Sequence, residues 1–145
     1  MYKKILVALE NGPADASLIQ HVTELAKRLS SELLLLHVAD GFAARNFNQL
    51  KLAESEEIKA DRAYLETVAQ QCREQGLVVS AQLAMGEPPK EIVKAVAEGK
   101  CDLIAMGSHG HRLIGDLIFG STIHQVRHST SIPVLLVRAG KPTKA

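Results

Sequence analysis

Residues 106–122 have the sequence MGSHGHRLIGDLIFGST, in which glycines and hydroxyl side chains separate a short apolar run from a predicted helix. The apolar run, 102–106, has the length and composition of a buried strand, and the helix is expected over 121–128. Glycine lets a backbone approach a ligand closely, and the first N–H groups of a helix attract an anion. The stretch therefore predicts a phosphate-binding loop that follows a strand.

The glycine spacing distinguishes this stretch from other phosphate loops. A P-loop needs a lysine directly after its second glycine, and Asp116 occupies that position here. A dinucleotide-binding G-x-G-x-x-G is absent, including after the first apolar run. The spacing that is present is Gly107-x2-Gly110-x9-Gly120-Ser121. Spacing alone leaves one alternative open, an ordinary glycine-rich loop before an N-capped helix.

Length, charge and composition limit the class of protein. The 145 residues fit one domain, expected over 1–139, with a disordered tail at 140–145. The 17 basic and 16 acidic residues give a net charge of +1 without a basic cluster, which argues against nucleic-acid binding. Two distant cysteines favour a reducing, cytoplasmic compartment. No apolar run is long enough for a signal peptide or a membrane span, so no membrane partner is expected.

Apolar runs that alternate with helical patterns predict the fold class. Strands are expected at 5–9, 33–38, 78–84, 102–106 and 133–137, and the mixed composition of 78–84 favours a sheet edge. Asp15 or Ser17 is expected to cap the first helix, a long helix is expected over 50–75, and 39–48 is expected to be a loop. This alternation predicts an α/β fold with a parallel sheet covered on both faces. Such sheets bind ligands beyond the carboxyl ends of their strands, where strand order reverses.

The glycine spacing resembles the ATP-binding signature of the universal stress protein family, G-x2-G-x9-G-[S/T], and the match is complete. Four other segments, 3–10, 34–38, 86–93 and 131–138, are similar to that family's first strand, second strand, turn before the third helix and final strand. The resemblance implies a three-layer, doubly wound, Rossmann-like fold of the adenine nucleotide alpha hydrolase-like type. It also implies five parallel strands in the order 3-2-1-4-5, with ATP between the first and fourth strands.

The resemblance also implies which residues contact each part of ATP. The backbone near Val38 would contact adenine, residues 106–110 would line the ribose and phosphates, and residues 120–122 would hold the phosphate tail. Arg112 is either a donor to the terminal phosphate or a solvated loop arginine. The expected nucleotide-binding residues are Ala8, Leu9, Glu10, Val38, Met106, Gly107, Ser108, Gly110, His111, Arg112, Gly120, Ser121 and Thr122.

Glu10 departs from the family pattern, in which an aspartate normally closes the first strand. It is followed by Asn11 and Gly12, where the pattern has Gly-Ser. The longer side chain changes the reach of the carboxylate toward the ribose or a bound Mg²⁺ ion. Two interpretations stay open: Glu10 is a ligand of the ribose or the metal, or it is a solvated loop acid.

The histidines do not form a convincing metal site. His109 and His111 flank Gly110, and His124 and His128 lie four residues apart on a predicted helix. Neither pair has a cysteine or carboxylate to complete a ligand set, so no metal ligand is assigned to them. His37, within an apolar strand, is interpreted as a hydrogen-bonded core histidine.

The sequence contains no recognisable catalytic motif, since it lacks a nucleophile elbow, a Ser/His/Asp spacing and a phosphate-loop lysine. We therefore expect an ATP-binding regulator of the stress response with no catalytic residues. The strand from Pro133 to Val137, which the resemblance places at a sheet edge, is expected to pair two copies into a homodimer. Two alternatives remain, an interaction dimer of the same fold without nucleotide and a slow Mg²⁺-dependent ATPase.

Overall fold

The computed structural model describes residues 1–39, 56–108 and 114–139, and over 114–121 it describes the backbone alone. Several predictions lie outside the described residues: the tail at 140–145, the loop at 40–48, the helix start at 50–55, and His109, Gly110, His111 and Arg112. The predictions on the sheet, on the helices and on the ends of β-strands 1, 2 and 4 lie within them.

Five parallel strands form one sheet in the order β3-β2-β1-β4-β5, which confirms the predicted fold class and strand order. The strands are β1 Lys4–Leu9, β2 Glu32–Ala39, β3 Val79–Met85, β4 Leu103–Ser108 and β5 Val134–Arg138. β3 is an edge strand, as its mixed composition predicted. β4 runs through Gly107 and Ser108, so the strand is longer than the expected 102–106 and the loop begins later.

Within the described residues, four helices cover the two faces of the sheet: α1 Asp15–Leu29, α2 Glu56–Glu74, α3 Pro88–Gly99 and α4 Ile114–Ser129. The side chains of β1 show which helices cover each face of the sheet. Ile5 and Val7 pack with Leu18 of α1 and Leu65 of α2. Leu6, between them in sequence, packs with residues of α3 and α4 such as Ile92 and Val126.

The continuous apolar runs follow from this double coverage, because successive side chains of a strand point to opposite faces and both faces are buried. Ile5, Leu6 and Val7 are each fully buried. Burying one such side chain stabilises the fold by about 1.5–3 kcal/mol. The run that predicted β1 as a central strand therefore also supplies the two cores.

Asp102 joins the starts of β1 and β4 at the amino edge of the sheet. Its carboxylate accepts hydrogen bonds from the backbone N–H groups of Lys3, at 2.9 Å, and Lys4, at 3.1 Å. Burial raises the pKa of this carboxyl, but the backbone N–H groups of Lys3, Lys4 and Asp102, together with the N-terminal charge, hold the pKa below its usual range. The contact fixes the edge of the sheet opposite to the predicted binding loops.

The start of α1 corrects one prediction. The residue at the N-cap is Ala14, and it makes no side-chain capping bond. Asp15 lies in the first turn and Ser17 within the helix, so neither caps it as expected. The reason is that the Asp15 carboxylate bonds to N–H groups of the preceding loop, which are described below with the site.

The start of α4 corrects a second prediction. The helix begins at Ile114, well before the expected Ser121, so Gly115 and Gly120 both lie within it. A glycine inside a helix costs only about 1 kcal/mol relative to alanine, and the apolar residues at 114, 117 and 118 continue the helical spacing. Residues 120–122 therefore do not form the helix N-terminus that the sequence predicted for them.

Candidate functional site

The order of the strands reverses between β1 and β4. The chain passes from β1 to β2 and β3 on one side, then crosses to β4 and β5 on the other. Ala8 of β1 is paired with Met106 of β4, and Leu9 is paired with His37 of β2. The carboxyl ends of these three strands therefore meet at one edge, and ligands of open α/β sheets bind at such an edge.

The predicted site residues at the strand ends fall into two groups. Ala8, Leu9 and Met106 are buried, and their side chains pack in the two cores. These three residues therefore present their backbone groups, not their side chains, to a ligand. Glu10, Val38 and Ser108 are half-buried, so part of each side chain is accessible at the edge.

Gly107 has a packing role that the sequence did not reveal. It is a strand residue paired with Val137 of β5. A Cβ atom added to it would lie 3.0 Å from the Cβ of Ala14 and 3.6 Å from the Ala14 carbonyl oxygen. The absent side chain thus lets the first turn of α1 pack closely on β4, directly beside the β1–α1 loop.

The predicted phosphate-tail residues lie along α4. Thr122 is only 4% exposed, and it is one turn from Val126, which is fully buried. Thr122 therefore lies on the inner face of the helix. Gly120 and Ser121 precede it in the helix, and the backbone alone is described there.

Asp15 fixes the loop that follows β1. Its carboxylate accepts hydrogen bonds from the backbone N–H of Glu10 at 3.1 Å and from that of Asn11 at 2.8 Å. It also accepts one from the hydroxyl of Tyr64 on α2 at 2.5 Å. Asp15 is 3% exposed, and a buried carboxylate is stable when its lone pairs are occupied in this way.

A second set of contacts continues from the loop to β2. Asn11 has a left-handed backbone, with φ 57°, and its side-chain amide donates to Asp61 Oδ1 at 3.0 Å. The other carboxylate oxygen of Asp61 lies 3.3 Å from His37 Nε2. His37 Nδ1 lies 2.8 Å from the carbonyl oxygen of Leu9. Because that carbonyl only accepts, Nδ1 carries the proton, and the interpretation of His37 as a hydrogen-bonded core histidine is confirmed.

We call these five side chains the loop clamp: Asn11, Asp15, His37, Asp61 and Tyr64. Together they tie the loop after β1 to α2 and to the end of β2. Sequence analysis missed Asn11, Asp15, Asp61 and Tyr64 because the contacts join residues far apart in the chain, 49 positions for Tyr64 and Asp15. The one available signal was the spacing of Asp61 and Tyr64, which places both on one side of α2.

The Glu10 side chain lies over the same loop. A Cβ atom added to Gly12 would lie 3.3 Å from Glu10 Oε1 and 3.5 Å from Glu10 Cγ. The carboxylate is therefore held close to the Gly12 backbone, beside the ends of the strands. A larger residue at position 12 would displace it.

In the described ranges, 1–39, 56–108 and 114–139, no group of three or more His, Cys, Asp or Glu side chains is arranged to hold a metal ion. The rings of His124 and His128 contact each other on the exposed side of α4, with centroids 4.4 Å apart. None of the helices in these ranges combines the length and the apolar character needed to cross a membrane.

The Tyr64 hydroxyl gives the clamp a measurable pH dependence. Burial, then the hydrogen bond to Asp15 and the charges of Asp15 and Glu10, raise the pKa of Tyr64 well above its ordinary value of 10.0. A pKa raised in the folded state means that folding favours the protonated phenol. Its contribution to stability is thus fully present below pH 10 and is lost as the pH rises beyond that value.

We therefore expect the free energy of unfolding of the parent protein to fall more steeply between about pH 10 and 12 than that of Tyr64→Phe. Urea unfolding at several pH values in this range measures the difference. Tyr2→Phe, at the other tyrosine of the chain, is the matched control and should follow the parent. Identical pH profiles for the parent and Tyr64→Phe would show that the phenol does not donate to Asp15.

Comparison with known proteins agrees with this architecture. The model of the universal stress protein family matches residues 1–138. A universal stress protein of Bacillus subtilis is 28% identical over 148 aligned positions, which cover 95% of this chain and 100% of that protein. One from Methanocaldococcus jannaschii is 29% identical, over 95% of this chain and 96% of its own length.

Solved structures show the same fold. The structure of the M. jannaschii protein superposes with a TM-score of 0.80 at 28% identity, covering 97% of this chain and 99% of that one. A universal stress protein from Archaeoglobus fulgidus, solved in complex with dAMP, superposes with a TM-score of 0.69. It is 21% identical and covers 94% of this chain and 98% of its own, so this likeness concerns the fold alone.

Proposed function

The chain belongs to the universal stress protein family, and from this premise we propose that it binds ATP at the carboxyl edge of its sheet and acts as a nucleotide-responsive regulator of the stress response. One observation carries the proposal. The first glycine of the ATP-binding signature, Gly107, lies at the end of β4 beside β1, where strand order reverses.

The chemistry of the edge supports an adenine nucleotide. Val38 offers a half-buried apolar surface, and Ser108 and Glu10 offer a hydroxyl and a carboxylate close to the neighbouring strand ends. These groups fit a flat apolar base and a polyhydroxylated sugar. The fold is compatible with such a ligand, since the A. fulgidus protein of the same fold was solved with dAMP.

Glu10 supplies the carboxylate that replaces the aspartate of the family pattern. Its side chain lies over Gly12, at the edge of the sheet. Mg²⁺ bound to a triphosphate prefers oxygen ligands and takes one or two carboxylates from the protein. We assign Glu10 to the ribose or to this Mg²⁺ ion.

Two glycines of α4 provide a matched test, because Gly115 and Gly120 are both helical but only Gly120 belongs to the signature. Gly120→Ala should weaken Mg-ATP binding at least about tenfold, since an added Cβ would prevent close approach of the nucleotide to the backbone. Gly115→Ala should bind like the parent. Both variants should keep their helical circular dichroism, because alanine favours a helix more than glycine does.

Calorimetric titration of Mg-ATP into the three proteins measures the difference. Equal affinities of the parent and Gly120→Ala would contradict the assignment of Gly120 to the site. Binding by none of the three would favour the second candidate, an interaction dimer of the same fold without nucleotide. The observation in favour of that candidate is Glu10 with Asn11 and Gly12 at the end of β1, where the family pattern has Asp-Gly-Ser.

The edge strand β5 supports a homodimer. It pairs with β4 on one side, and Leu136 in its centre is 46% exposed. An apolar edge strand with a row of backbone N–H and C=O groups is suited to pair with a second copy about a two-fold axis. This arrangement would cover Leu136 in both copies.

Leu136→Lys should therefore convert the dimer to a monomer at micromolar concentration, because the new charge would be buried at the centre of the interface. Light scattering measures the mass. Val78→Lys, at an apolar residue that is 65% exposed beside the opposite edge strand, is the control and should remain dimeric. A parent protein with the mass of a monomer would contradict the proposal, and dissociation by Val78→Lys alone would place the interface at β3.

The cysteines support a cytoplasmic location. Cys72 and Cys101 are free thiols and both are buried. Burial raises the pKa of each thiol, so both remain protonated and weakly reactive. Free, unpaired cysteines are typical of reducing compartments.

A further inference from the structure

We propose that Tyr64 and Asp61 of α2 are positioning residues for nucleotide binding, which act by holding the β1–α1 loop, residues 10–14, in its binding conformation. The inference rests on the proposed function, because it concerns the site at the carboxyl edge. It extends that site to α2, a helix that contributes no residue to the glycine signature or to the ends of the strands.

Two backbone N–H groups of the loop share one acceptor. Those of Glu10 and Asn11 both donate to the Asp15 carboxylate, at 3.1 and 2.8 Å. Asp15 Oδ2, which accepts the hydrogen bond from the Asn11 backbone N–H, also accepts one from the Tyr64 hydroxyl at 2.5 Å. Tyr64 therefore orients the acceptor that organises the loop.

Asp61 and His37 connect the loop to β2. Asp61 Oδ1 accepts a hydrogen bond from the side-chain amide of Asn11, and Asp61 Oδ2 faces His37. His37 is adjacent in sequence to Val38, the residue assigned to the adenine, and it also bonds to the carbonyl of Leu9 at 2.8 Å. Asp61 thus links the loop that carries Glu10 to the strand end that carries Val38.

Burial of the clamp makes the loss of its contacts unfavourable. Asp15, His37 and Asp61 are only 3%, 8% and 9% exposed, and a buried polar group without its partner is strongly disfavoured. Conformations of the loop that break the clamp are therefore rare, and Asn11 is kept in its left-handed conformation, which asparagine tolerates better than most residues. A loop held in this way loses less conformational entropy when a ligand binds.

The first test removes a single hydroxyl. In the nucleotide-free protein, Tyr64→Phe should accelerate hydrogen exchange at the backbone N–H groups of Glu10 and Asn11 at least about threefold. It should weaken Mg-ATP binding by about three- to tenfold, an effect of the size of one ordinary intramolecular hydrogen bond. Thr67→Val is the matched control on α2, since the Thr67 hydroxyl donates within the helix to the Ala63 carbonyl at 2.9 Å. It should change neither quantity.

A second series grades the effect at Asp61. Asp61→Asn keeps one acceptor oxygen for the side-chain amide of Asn11, whereas Asp61→Ala keeps none. ATP affinity, and the protection from exchange of the Asn11 backbone N–H that bonds to Asp15, should both decrease in the order parent, Asp61→Asn, Asp61→Ala. Equal values for the two variants would contradict the role of that hydrogen bond.

The outcomes separate this inference from the proposed function. If the parent binds ATP and the Tyr64→Phe and Asp61 variants bind it equally well, the clamp does not position the site and the inference is wrong. Unchanged exchange at Glu10 and Asn11 in Tyr64→Phe would overturn it as well, whether or not ATP binds. If the parent binds no ATP, the proposed function fails and the positioning role fails with it, while the exchange data still show whether Tyr64 holds the loop.

Discussion

Asp15→Ala is expected to lower the free energy of unfolding by about 2–4 kcal/mol, because three donors lose a charged acceptor and each such bond contributes about 1.5–3 kcal/mol. The donors are the Glu10 and Asn11 amides and the Tyr64 hydroxyl. The loss should be smaller than the sum of three bonds, since the half-buried loop can be rehydrated in part. Urea unfolding, followed by circular dichroism, measures the change.

Two variants serve as controls for Asp15→Ala. Asp15→Asn keeps one acceptor oxygen and should lose about half as much stability. Glu24→Ala removes an exposed acid from the same helix, whose 4.0 Å contact with Arg28 lies on the surface, and it should change stability by less than about 0.5 kcal/mol. An Asp15→Ala protein as stable as Glu24→Ala would contradict the account of the loop.

Gly107→Val is expected to be the second most damaging substitution, with a loss of about 1–3 kcal/mol from overpacking. Its Cβ would lie 3.0 Å from the Cβ of Ala14, and its two methyl groups would add to the overlap. The start of α1 would have to move away from β4, and the loop after β1 would move with it. We therefore expect this variant to lose ATP binding as well as stability.

A double-mutant cycle identifies the contact responsible. Gly107→Ala should be partly rescued by Ala14→Gly, because the second change removes the opposing Cβ. The rescue should be incomplete, since the Ala14 carbonyl oxygen would still lie 3.6 Å from the new Cβ. A coupling energy of at least about 0.5 kcal/mol is expected for residues in contact. Strictly additive effects on the unfolding free energy would mean that the Ala14 contact is not what requires glycine at position 107.

The sheet was predictable because its signals are local. β1 and β2 contain continuous apolar runs, at 5–9 and 33–36, which are typical of a strand buried on both faces. The strand order came from the family resemblance, and the structure confirms it. The predicted start of α4 was wrong because Gly115 and Gly120 were included in the glycine-rich loop, although the helix tolerates both.

The clamp could not be predicted, because no local pattern relates its members. Asp15 was interpreted as a helix cap, which is the commonest role of an aspartate at that position. Its actual partners include Tyr64, 49 positions away, and Asn11 contacts Asp61, 50 positions away. Gly107 was assigned to the ligand for a similar reason, since its contact with Ala14 exists only after α1 has packed on β4.

The most direct test of nucleotide binding at this edge is a titration of the nitrogen-15-labelled protein with Mg-ATP, followed by the chemical shifts of the backbone amides. We expect saturable shifts for Glu10, Val38 and Ser108, at the carboxyl edge of the sheet. We expect unchanged shifts for Lys3 and Asp102, which bond to each other at the amino edge. No shifts at millimolar ATP, or shifts confined to the amino edge, would contradict nucleotide binding at the carboxyl edge.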